Sequence, residues 1–516
     1  MKKSAKKMMT DASVRSLSMM TACQSDDDDI PMPQEVSSQR VFDFFKEINA
    51  VPRPSGHEEQ MRQYLIRFAD ARGLRHAENN GNIIIYKDAT AGMEQVPSVV
   101  LQTHMDMVCV AADGYAVNFL TQGIEQEVTD GFIHSRGHKT SLGADDGIGI
   151  SLVLAVLDSK MVKHGPLECL FTWDEEQGLE GAAAFDSGIL KSKYMINIDS
   201  ETEGETCIGT SGGVWILASM DYTPQAVPAG YTACVLSVNG LTGGHSGIDI
   251  YKGGASATKL LADFLYSEKT TRLRLVSING GQASNSIATS ATAVVIVPED
   301  NAGTLVSLFE SYMAEAKTRY AATDPAMTWS IGAASDVQSY MPAEAAELLV
   351  NGLDATPQGV IERSTVVENM FETANNIGII TTTDGRWEVV NYPRGFDAAK
   401  IDAVSTTISQ AFSGATVEFA NPYLPWNADV NCALIAYTQK SYQGLFGTPL
   451  RYVRMGGGIE ASQFALSYPE MQIVSIGSNV FDAHTVNERV EIASVERTWK
   501  FVLRLLGNIG EVLKKT

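Results

Sequence analysis

Four apolar runs in this sequence stop on an acid or an imidazole, and this pattern limits what the chain can fold into. "PSVVLQT" runs into His104 and Asp106, and Leu167–Trp173 into Glu175 and Glu176. Tyr194–Ile198 runs into Asp199, and Ile473–Gly477 is followed by "DAHTVNE" with His484. Short apolar runs of this kind read as strands buried on both faces. An apolar helix, Ile148–Asp158, lies between the first two, with Asp145 and Asp146 at its mouth in "LGADDGIGI". Strands alternating with helices predict an α/β domain with a mostly parallel sheet and flanking helices. In such sheets ligands bind outside the carboxyl ends of the strands. Five segments therefore deliver carboxylate or imidazole to one sheet edge.

Taken singly, each residue has an ordinary explanation. A strand-end histidine is usually a hydrogen-bonded loop residue, paired glutamates a solvated turn, and an aspartate after a strand a helix cap. Together they would repel strongly in a water-poor site unless cations neutralised them. Two divalent metals answer that need. Imidazole and carboxylate donors suit zinc and also admit manganese or cobalt. The six cysteines are scattered without a C-x-x-C pair, so a thiolate site is excluded and reduced thiols are expected. In extended chain, residues i and i+2 point the same way, so Asp106 can lie on the same side as the imidazole of His104.

The 516 residues divide by pattern into four stretches. Residues 1–35 read as a disordered polar leader. Residues 36–212 form the first part of the α/β domain, opening with two helical patterns around "AVPRPSGHEEQ". Residues 213–416 read as an inserted α+β domain, with strands at "ACVLSVNGL" and "ATAVVIVPED" and helices at Ala255–Ser267 and Leu305–Ala316. Residues 417–516 return to the first style, with helices Val430–Phe446 and Ser494–Lys515. The formal net charge of −22 makes nucleic acid and anionic membrane poor partners. No apolar stretch is long enough to span a bilayer. The leader fits a cytoplasmic protein; the alternative is a lipoprotein anchored at the cell envelope through Cys23, in "MTAC".

"PRPSGHEEQ", "VVLQTHMDMV", "LGADDGIGI", "EEQGLEGA", "NIDSETEGE", "LTGGHSG" and "AHTVNERV" occur in an order that resembles the aminoacyl-histidine dipeptidases, members of the carboxypeptidase G-like di-zinc metallopeptidase clan. The resemblance runs from about Phe42 to the C-terminus. It implies a catalytic domain interrupted by a lid, and hydrolysis of unblocked dipeptides, Xaa-His above all, by a water activated between two metals. It assigns His104 and Asp199 to one metal, Glu176 and His484 to the other, and Asp145 as the bridge. Glu175 becomes the general base and Asp106 the partner of His104. His245 would stabilise the oxyanion, Asn285 and Arg394 would hold the substrate, and Glu460 is either a contact for its α-amino group or a surface acid. A homodimer through the lid is a further implication. Asp146, His138, Trp173, Asp174 and Met455 depart from the family pattern, which bears on dipeptide preference. Relatives of the same clan that cleave N-acyl amino acids or tripeptides are the nearest alternative. A homologue that only binds is a further one.

Overall fold

The structure, a computed structural model, describes residues 36–513. The leader, with Cys23, lies outside them. The first of two nine-stranded sheets contains β1 (Arg75–Asn79), β2 (Asn82–Lys87), β3 (Val99–His104), β4 (Leu167–Thr172), β5 (Tyr194–Ser200) and β6 (Glu205–Thr210). The second is built from β7 (Gly212–Asp221), β8 (Tyr231–Asn239), β9 (Arg274–Gly280), β10 (Ala291–Pro298), β11 (Thr328–Ala333), β12 (Gly359–Arg363), β13 (Phe371–Thr383), β14 (Arg386–Gly395) and β15 (Thr416–Tyr423). The chain then returns to the first sheet with β16 (Trp426–Asn427), β17 (Arg451–Met455) and β18 (Gln472–Gly477).

The first sheet has the order β1-β2-β4-β3-β5-β18-β6-β16, with β17 beside β6. β3 pairs in parallel with β4 and β5, and β18 in parallel with β5. These are the four runs that end on acids and imidazoles, so their carboxyl ends share one edge. Antiparallel β1, β2, β6 and β16 flank this centre. Leu101, Phe171, Ile196 and Val474 point to one face and pack with helices α1 (Gln39–Asn49), α2 (Ala144–Asp158), α3 (Ala433–Phe446) and α5 (Ile492–Leu513). Val100, Leu170, Met195 and Ile473 point to the other, against Phe464 of α4 (Glu460–Ser467). Residues Asp146 to Leu157 of α2 are all buried, which explains why the sequence is apolar all round this helix.

The second sheet runs β11-β8-β10-β9-β13-β14-β7-β15, with β12 beside β13, and is antiparallel throughout. Its strands alternate: Leu236 and Val238 of β8 are buried while Val235 and Ser237 are half-exposed. The buried face carries helices Ala257–Ser267, Ala302–Arg319, Ala343–Ala355 and Ala398–Ala411. Entry and exit lie side by side. Thr210 of β6 pairs with Trp426 of β16, and Gly213 of β7 pairs with Tyr423 of β15. The sheet pairing thus extends past residue 416, to Tyr423. No helix among the described residues is long and apolar enough to cross a membrane.

Candidate metal centre

The carboxyl edge of the first sheet gathers the residues that its strands deliver. His104 ends β3 and is fully buried. Its Nδ1 lies 3.1 Å from Asp106 Oδ1, and its Nε2 lies 3.0 Å from Asp145 Oδ1 and 3.4 Å from Asp199 Oδ1. His484 Nε2 lies 3.2 Å from Asp145 Oδ2 and 3.0 Å from Glu176 Oε1. Asp145 therefore turns one oxygen to each imidazole. Ligand atoms of His104, Asp145 and Asp199 all lie within 4.8 Å of one another, as do those of Asp145, Glu176 and His484 and those of His104, Glu175 and Glu176. The two triads that share Asp145 form two adjacent candidate sites.

Asp106 faces away from these triads. Besides His104, it accepts from Ser55 Oγ at 2.8 Å and from the backbone N–H groups of Glu175 at 3.0 Å and Glu176 at 3.3 Å. Burial alone would raise this carboxyl; His104 and the other donors hold it below its ordinary value. It thus orients the imidazole and anchors the turn that carries both glutamates.

Electrostatics fit a cation-binding role. Burial, reinforced by Asp199, Glu460 and Asp145, pushes the Glu175 carboxyl up to about 10. Burial, with Asp145 and Glu176 adding to it, raises Asp199 to about 6. Hydrogen bonds that His484 donates to Asp145 and Glu176 raise it to about 11. Burial by itself would lower His104, but Asp199, Asp106 and Asp145 raise it well above its ordinary range. Glu176 Oε1 is buried and faces His484 Nε2 at 3.0 Å. Crowded acids with two imidazoles among them suit a pair of divalent cations, which would relieve the repulsion.

Two supporting residues, Glu488 in "AHTVNERV" and Arg53 in "PRPSGHEEQ", received no role from the sequence. Buried Glu488 accepts the backbone N–H groups of Leu142 (2.7 Å), Gly143 (3.0 Å), Ala144 (2.7 Å) and Asp145 (3.4 Å). Buried Arg53 donates to the carbonyls of Met105 (3.2 Å), Asp106 (2.7 Å) and Gly143 (2.5 Å). Their partners are backbone groups, which residue identity does not reveal. Asp146, the departure beside Asp145, accepts from Thr103 Oγ1 and from the Gly149 N–H at 3.1 Å, so it caps the first turn of α2.

Glu460 corrects one expectation. It is not a surface acid but is fully buried at the start of α4, accepting Gln102 Nε2 and Thr172 Oγ1, each at 2.6 Å. Its Oε1 has no partner, and burial raises the carboxyl to about 8. His245, Asn285 and Arg394 gather elsewhere, where the second sheet meets the glycine run at Gly456. The N–H of Ser246 donates to the Asn285 carbonyl at 2.7 Å, and the N–H of Gly247 to His245 Nδ1 at 3.2 Å. Arg394, 3% exposed, donates to Tyr423 Oη at 2.8 Å and to the Gly456 carbonyl. Burial and the charge of Arg394 hold His245 below its ordinary value. No hydrogen bond or ion pair among the described residues joins this group to the His104–His484 cluster.

A model of peptidase family M20/M25/M40 matches residues 100–508, from within β3 to the C-terminal helix. The chain belongs to peptidase family M20/M25/M40. The match spans both parts of the first sheet, which carry the sheet-edge cluster, and the second sheet between them. This family member is 36% identical over 480 residues to the cytosol non-specific dipeptidase of Escherichia coli (strain K12), covering 92% of this chain and 98% of that protein. Among solved structures, it is similar to aminoacylhistidine dipeptidase from Vibrio alginolyticus, with a TM-score of 0.86 and 33% identity over 91% of this chain and 96% of that one. Aminopeptidase PepT from Bacillus cereus ATCC 10987 shares the fold, with a TM-score of 0.53 and 17% identity over 92% of this chain and 99% of that one. The chain is thus a peptidase by family, with an α/β fold common to these relatives.

Proposed function

We propose that this chain hydrolyses unblocked dipeptides, with Xaa-His the preferred type, using two divalent metals, zinc first and manganese or cobalt as substitutes. His104, Asp145 and Asp199 would hold one ion, and Asp145, Glu176 and His484 the other. The observation that carries this reading is Asp145, one oxygen 3.0 Å from His104 and the other 3.2 Å from His484. When bound, the ions supply Lewis acidity for the scissile carbonyl and acidify water.

The chain's own residues do the proton work. Glu175 lies in the turn that Asp106 anchors, and its carboxylate has no hydrogen-bond partner among the described residues. Cations beside it favour its ionised form. It takes a proton from the attacking water and passes it to the nitrogen of the departing amine. His245 stabilises the oxyanion of the tetrahedral intermediate. Arg394, with a guanidinium suited to a C-terminal carboxylate, and Asn285 hold the substrate. The buried, unpartnered Oε1 of Glu460 suits a free α-amino group. We read 213–416 as a lid that excludes water on closing and through which a homodimer forms. We place the protein in the cytoplasm, on the name of its Escherichia coli relative.

The test is turnover of a panel of Xaa-His dipeptides, other dipeptides, acetylated amino acids and tripeptides, on protein reconstituted with zinc, manganese or cobalt. Dipeptides with a free amino terminus should be cleaved fastest. Absence of turnover with all three metals overturns the proposal.

A further inference from the structure

The geometry points to Glu488 and Arg53 as positioning residues that tie the three arms of the metal centre together; this rests on the two-metal reading above. Asp145 sits at the end of the segment Leu142–Asp145, which leads into α2. The N–H groups of all four loop residues converge on the two oxygens of Glu488, at 2.7 to 3.4 Å. Successive N–H groups arranged in this way form an anion-binding concavity. Gly143 shapes it with φ 73° and ψ 37°. A Cβ on Gly143 would lie 2.7 Å from Arg53 Nη2 and 2.6 Å from Met107 Sδ, so the turn admits only glycine.

Glu488 follows His484 by four residues, so this carboxylate fastens the segment that presents His484 to the loop that presents Asp145. Arg53 does the same on the other side. Its Nη2 holds the Gly143 carbonyl, while its Nη1 holds the carbonyls of Met105 and Asp106, directly after His104. One guanidinium thus fastens the His104 arm to the Asp145 arm. An acid on the N–H side of the loop and a base on its carbonyl side, both buried, set where the Asp145 carboxylate stands between the two imidazoles. Neither residue touches the ligand atoms, and neither moves a proton.

The experiment titrates metal-free wild type, Glu488→Gln, Glu488→Asp and Arg53→Lys with cobalt(II) chloride by calorimetry. Circular dichroism checks the fold, and kcat and KM are measured on the loaded proteins. The Gln amide turns two donors toward two of the loop N–H groups. The Lys ammonium lacks the fork that spans two loops. Wild type should take two equivalents. Folded Glu488→Gln and Arg53→Lys should bind the second equivalent about 10–100-fold more weakly, with kcat falling and KM nearly constant. Glu488→Asp, shorter but still anionic, should recover part of the loss. A folded Gln or Lys variant that takes both equivalents with wild-type affinity overturns the proposal, even if it melts at a lower temperature. Wild type failing to take two equivalents overturns the two-metal reading instead.

Discussion

Asp106→Asn tests how far the centre depends on a residue assigned to neither ion. The substitution keeps the size of the side chain and exchanges one oxygen for an amide nitrogen. Asp106 Oδ1 receives His104 Nδ1 and the Glu175 N–H; Oδ2 receives Ser55 Oγ and the Glu176 N–H. If the Asn oxygen keeps the first pair, its amide faces the Glu176 N–H, donor against donor, while the Ser55 hydroxyl can turn and accept. One backbone bond is lost outright and the bond from His104 loses its charge assistance. A charge-assisted bond contributes about 1.5–3 kcal/mol and a neutral one about 1, so the change should cost about 2–4 kcal/mol. That cost divides between the fold and the centre. Thermal melting of the metal-free protein reads the first part, and zinc affinity by competition with a chelator reads the second. Zinc affinity should fall about 10–100-fold, with a parallel fall in kcat. An Asp106→Asn protein with wild-type zinc affinity and wild-type kcat would show that the imidazole and the glutamate turn are held by something else.

Further predictions concern the base, the acid limb of stability and the junction of the two sheets. Glu175→Gln should retain both metals and lose about 10²–10⁴-fold in kcat, read by metal analysis and dipeptide hydrolysis; near-normal turnover would remove it as the base. His164, fully buried, is held by that burial at about 4, below its ordinary 6.5. The unfolded chain therefore takes up a proton that the folded one refuses. Its contribution is complete above pH 6.5 and is lost as pH falls toward 4, about 3 kcal/mol in all. In urea titrations across this window, His164→Gln should show a shallower pH dependence than wild type; equal slopes would refute the assignment. Gly456→Ala would drive a Cβ into the Gly247 carbonyl, parting the second sheet from the glycine run and disturbing the bond from Arg394 to the Gly456 carbonyl. It should cost about 1–3 kcal/mol in melting experiments and lower activity more than that loss of folded protein explains.

Much of this centre was legible before any coordinates, because the signals were local. Val99–His104 and Tyr194–Ser200 are apolar runs whose burial follows from composition, and the chain direction of a parallel sheet sends their ends to one edge. The two-residue spacing of His104 and Asp106 placed both on one side of the strand end, as observed. The sequence by itself thus determined the layer architecture, the donor types and the edge on which they meet. Only the tertiary structure decided what holds them there. Glu460 reads like a loop acid, yet α4 packs it beneath the sheet edge, bonded to Gln102 and Thr172. Arg53 and Glu488 look like ordinary surface charges in Pro- and Asn-containing loops. Their partners are carbonyl and N–H groups that every residue carries alike, supplied from about 50 to 350 positions away. Such partners leave no mark in residue identity and come within reach only when the parallel strands have brought their loops together.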